Sequence, residues 1–170
     1  MSNKKYQGFF VILSLFLLSS CNIIAHYQQD PFYRNGSEWD HLRFPLIKPY
    51  YATYAADGHG WNMNLEVTPL KIDSQYIFTV EHIQRIAVEK GVLMIYSSTQ
   101  SSFDGSLEEK PPYWFVIIPE QNIEMGFDEE NNFLTYIQQR GIQEPTWREP
   151  SAILQEYDQT QCLAWIPNCK

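Results

Sequence analysis

The chain has 170 residues, 20 acidic against 12 basic side chains and a formal charge of −8. An acidic surface repels a phosphate backbone, so nucleic acid is a poor partner, and a polybasic membrane patch is equally disfavoured. The charge suits cationic surfaces or, more plainly, solubility.

The N-terminal segment divides into three zones. Lys4 and Lys5 make a positive start, Gly8–Leu18 is apolar apart from Ser14, and Ser19-Ser20-Cys21 follows. The apolar run is about half of the roughly 20 residues that a spanning helix needs. A charged start, a short apolar run and small residues before a cut site are the layout of a secretory signal peptide. The cut site itself, Leu18-Ser19-Ser20-Cys21, resembles the lipobox of bacterial lipoproteins. That resemblance implies a diacylglyceryl thioether on Cys21, cleavage before it, and acylation (a palmitate, for example) of the new amino group. Each buried CH₂ contributes ~0.8 kcal/mol, and two or more acyl chains hold firmly where one is marginal. Asn22 stands where an aspartate would resemble the inner-membrane retention signal of enteric lipoproteins, so the expected place is the outer membrane, facing the periplasm. Loss of residues 1–20 removes both lysines and moves the charge to about −10. What remains is a lipidated N-terminus and tether over residues 21–40 and one domain over residues 41–170. This mature chain of about 150 residues is enough for a single core.

The tether has no clean period and carries turn formers at Asp30-Pro31 and Asn35-Gly36. Strand signals begin at Phe44. Tyr50–Ala55 and Trp61–Val67 flank Asp57-Gly58-His59-Gly60, a break that reads as a hairpin connection. In the second strand Trp61, Met63, Leu65 and Val67 alternate with Asn62, Asn64 and Glu66, which predicts one dry face and one wet face. Gln75–Val80 reads as a further short strand. A clearer hairpin breaks at Glu89-Lys90-Gly91, with Ile86 and Val88 before it and the apolar run Val92–Tyr96 after it as a central strand. Ser97–Pro112 is a long polar connection, and Tyr113–Pro119 a strongly apolar strand ended by proline.

The pattern then becomes helical. Acids at Asp128-Glu129-Glu130, Arg140 near the end and Gly141 after it match a helix dipole and a glycine close, with Phe133, Leu134 and Ile137 as the apolar stripe. After Glu144-Pro145, a second helix turns Ile153, Leu154 and Tyr157 inward. Strands first and helices last predict an α+β fold: an antiparallel sheet of about five strands built from hairpins, followed by two C-terminal helices. With Cys21 assigned to lipid, Cys162 and Cys169 are left as an even pair outside the cytoplasm, which favours a disulfide.

The chemistry is sparse. The chain holds no Gly-x-Ser-x-Gly, His-Glu-x-x-His or Gly-rich phosphate loop. His26, His41, His59 and His82 are scattered without ligand spacing, and the acids at Glu108-Glu109 and Asp128–Glu130 do not make a calcium loop. No catalytic residue, metal or cofactor is therefore expected. Aromatics cluster at Tyr50, Tyr51, Tyr54 and Trp61, and again at Tyr113-Trp114-Phe115. Most suit a core. Strand alternation nonetheless makes Tyr50, Tyr51 and Tyr54, with Phe103 of the polar connection, a candidate docking face. The expected role is a non-enzymatic binding or structural lipoprotein of the envelope, attached to the membrane through Cys21 and open to a protein partner. A periplasmic immunity protein against a basic toxin, a hydrolase working through His59 or His82, and a small-ligand carrier with an aromatic pocket are the alternatives.

Overall fold

A computed structural model describes residues 30–34, 42–55, 60–67, 70–72, 75–98, 100–101, 107–108 and 113–169. The chain divides into two units, Met1–Arg34 and Asn35–Lys170. In the first, Pro31–Tyr33 form a 3₁₀ turn. Asp30 caps it: its carboxylate accepts the Phe32 N–H at 3.0 Å, and Pro31 supplies a preset φ at the first position.

The second unit begins with β1 (Arg43–Pro45), β2 (Tyr51–Tyr54) and β3 (Trp61–Asn64). β1 and β2 pair antiparallel with Phe44 opposite Ala52, and β2 pairs with β3 with Tyr54 opposite Trp61. Between β1 and β2 the chain turns through a cis Lys48–Pro49 bond, with the Tyr50 N–H donating to Ile47 at 2.8 Å. β3 is shorter than the expected Trp61–Val67: Trp61 and Met63 are buried and Asn64 is exposed as alternation demands, but the strand ends there, Leu65 is half-buried and Val67 is exposed.

The expected strand over Gln75–Val80 is two strands. β4 (Leu70–Ile72) pairs with β5 (Gln75–Ile77), whereas β6 (Thr79–Val80) pairs with β3. They separate at Phe78, whose carbonyl accepts the Leu65 N–H at 2.8 Å and whose ring is 62% exposed. The first sheet therefore has the order β1-β2-β3-β6.

β7 (Ile83–Glu89) and β8 (Val92–Ser97) form the hairpin read at Glu89-Lys90-Gly91. Lys90 and Gly91 both have positive φ, 51° and 76°, so the two-residue turn is of the primed kind that matches strand twist. Two short strands, β9 (Gln100–Ser101) and β10 (Leu107–Glu108), pair within the polar connection. β11 (Trp114–Ile118) then lies against β8 and hairpins into β12 (Ile123–Phe127). Pro119 does not end the sheet. It opens a 3₁₀ turn, Pro119–Gln121, that closes at Asn122 (φ 52°) and sends the chain back. The second sheet has the order β12-β11-β8-β7. Central β8 buries Leu93, Met94 and Ile95 completely.

The expectation of one sheet of about five strands is thus corrected: the fold is α+β, but among the described residues it has two antiparallel four-stranded sheets. The chain changes sheets at His82, whose φ of 51° turns it between β6 and β7. β12 supplies the uncounted strand of the second sheet; every residue in it is half-exposed, so its sequence lacks a strong apolar signature.

α1 (Glu130–Gln138) and α2 (Pro150–Thr160) follow. α1 places Phe133 and Ile137 in a core cluster with Ala87, Val92, Met94, Val116, Ile118 and Ile142. α2 starts with Pro150 at its first position and packs on β1 and β7, one strand from each sheet, burying Ile153 and Tyr157. Cys162 and Cys169 are joined as a disulfide with Cα atoms 5.4 Å apart. The loop they close buries Leu163 and Ile166, and its Trp165 Nε1–H donates to the Pro45 carbonyl at 3.2 Å.

Candidate binding cleft

Arg148 makes an isolated antiparallel bridge to Ile86 on the outer side of β7, with N–H···O bonds of 2.8 Å in both directions. Pro150 then begins α2, and a helix cannot continue that ladder. Along β7 the register slips between Ile83 and Arg85, because Gln84 is an extra residue with no partner across on β8. Such a bulge bends its strand and re-aims a side chain. Immediately before it, the His82 N–H is fixed by Asn62 Oδ1 at 3.1 Å, and the Ser97 hydroxyl donates to the Glu81 carbonyl at 2.5 Å.

The result is a cleft of about 410 Å³ lined by Trp61 of β3, Ile83, Gln84 and Arg85 of β7, Tyr96 of β8, and the entry to α2 at Glu149–Ser151. Its aromatic residues pack against other rings. The Trp61 ring lies 5.0 Å from Phe44 and 5.4 Å from Tyr54, and Tyr96 lies 5.4 Å from Trp114. The Arg85 guanidinium sits 4.6 Å from the centre of the Tyr96 ring and 5.6 Å from that of Trp147. These distances are in the range of cation–π contacts, and the Arg85 side chain is otherwise exposed. Close by, Arg148 pairs with Glu156 at 2.5 Å. The site is an open groove in which Gln84, Arg85, Glu149 and Ser151 are exposed, while Trp61, Ile83 and Pro150 are buried.

A second polar feature joins the two sheets. One carboxylate oxygen of Glu124 on β12 accepts from the Tyr50 hydroxyl at 2.7 Å, the Glu66 N–H at 2.6 Å and the Val67 N–H at 3.2 Å. Burial, and then the bond to Glu124, push the Tyr50 phenol above the ordinary tyrosine range.

Of the residues anticipated for an aromatic docking face, Tyr50 needs correcting. Tyr50 is only 2% exposed and faces Glu124, so it is a core residue rather than a contact residue. Tyr51 is half-buried beneath the Arg43 guanidinium, 4.9 Å from its ring centre. Tyr54 is 37% exposed and makes an edge contact with Trp61. Phe115 is core, while Tyr113 and Trp114 are half-buried. His82 is 9% exposed and its ring abuts Gly60. Cys21, His26, His41, His59 and Phe103 lie outside the described residues. Among the described residues no three His, Cys, Asp or Glu side chains converge as a metal site, and no helix is long and apolar enough to cross a membrane.

Sequence reading missed Gln84, Arg85, Tyr96 and Glu149. Arg85 opposite Tyr96 is a cross-strand pair once the register is known, but the bulge that sets this register leaves no mark in the residue pattern. Compared with protein-family models, curated proteins and solved structures, the chain matches none.

Proposed function

We propose that this protein is a lipid-anchored lipoprotein of the bacterial envelope, facing the periplasm from the outer membrane, and that it works by binding through the cleft beside Trp61 and Arg85. The observation that carries the location is Leu18-Ser19-Ser20-Cys21 placed directly after Lys4, Lys5 and the apolar run Gly8–Leu18. Acyl chains on Cys21 would supply the anchor. Residues 21–40 would hold the domain away from the lipid surface. The disulfide between Cys162 and Cys169 supports an oxidising compartment. The cleft supports a binding role, because Gln84, Arg85 and Glu149 line it together with Trp61 and Tyr96.

Replacing Cys21 tests the anchor. Cys21→Ala is expected to remain uncut and to lose labelling by a fatty-acid analogue in growing cells, while the native chain is cut and labelled. Normal processing of the variant would overturn the lipoprotein reading.

A further inference from the structure

We draw no further inference here: the strongest candidate, the exposed apolar surface at Val67 and Phe78 past the end of the β3–β6 pairing, carries none, because nothing in the structure shows what covers it.

Discussion

Glu124 illustrates how much one side chain can organise. Its oxygen serves a phenol from the start of β2 and two backbone N–H groups that follow β3, so a single carboxylate of the second sheet holds two segments of the first. Nothing near Glu124 in sequence announces this, because Tyr50 lies 74 residues away. The tyrosines at this scale lead to a pH prediction. Burial pushes the Tyr157 phenol up to about 12, with Arg43 opposing, and Tyr50 is raised further above the ordinary value by burial and by Glu124. Both therefore keep their protons in the fold at a pH where the unfolded chain releases them. The folded state then binds more protons, so stability is complete below the ordinary tyrosine pKa of 10.0 and falls as pH rises above it. Tyr50→Phe should cost about 1 kcal/mol at neutral pH through the lost hydrogen bond, and should flatten the alkaline decline. Urea unfolding at a series of pH values measures both; an alkaline decline as steep in the variant as in the native chain contradicts the assignment.

Among the elements, α1 has the most legible boundary. Arg140 and Gly141 mark its end in sequence, and the structure closes it as a Schellman motif: Gly141 N–H donates to Gln138 at 2.9 Å and Ile142 N–H to Ile137 at 3.2 Å. Ile137 and Ile142 meet in the same core cluster, which is the apolar contact that accompanies this motif. Gly141 has φ 76°, and an added Cβ would stand 3.2 Å from Lys90 Nζ, which donates to the Gly141 carbonyl at 2.7 Å. Gly141→Ala should therefore cost about 1–2 kcal/mol from backbone conformation, plus whatever displacement of Lys90 adds. Gly91→Ala is the control, since Gly91 shares the φ of 76° but has no atom within 4 Å of the added Cβ. Urea midpoints should rank native above Gly91→Ala above Gly141→Ala, and a reversed order of the two variants would remove the Lys90 contribution. The β7–β8 hairpin was equally legible, because Lys90-Gly91 interrupts two apolar runs and only a turn reconciles them. β12 was not legible: its five residues are all half-exposed, and its pairing depends on the left-handed Asn122.

At the scale of the molecule, the C-terminus returns to the beginning of the domain. The loop closed by Cys162 and Cys169 buries Leu163 and Ile166 and, through Trp165, bonds to Pro45 at the end of β1. The disulfide restricts the unfolded chain, and loop entropy for so small a ring gives about 2.5 kcal/mol. Reduction should lower the midpoint of urea unfolding accordingly, and should alter Trp165 fluorescence as the indole loses its carbonyl acceptor. An unchanged midpoint after complete reduction would mean that the loop is held by Leu163 and Ile166 alone.

Local pattern was sufficient for the α+β class, for both helices, for the pairing of β2 with β3, for the Lys90-Gly91 turn and for the candidacy of Cys162 and Cys169, because each rests on period, turn chemistry or parity within a short window. The residues before Cys21 likewise bear their resemblance to a lipobox without any fold. The division into two sheets belongs to tertiary structure, since His82 must adopt a positive φ and the strands must choose partners far along the chain. So does the cleft, where a bulge at Gln84, a bridge from Arg148 and the turn into α2 bring Trp61, Arg85 and Glu149 around one space. Side chains separated by dozens of residues carry no mutual signal in a single sequence, and only the register of strands against one another sets them face to face.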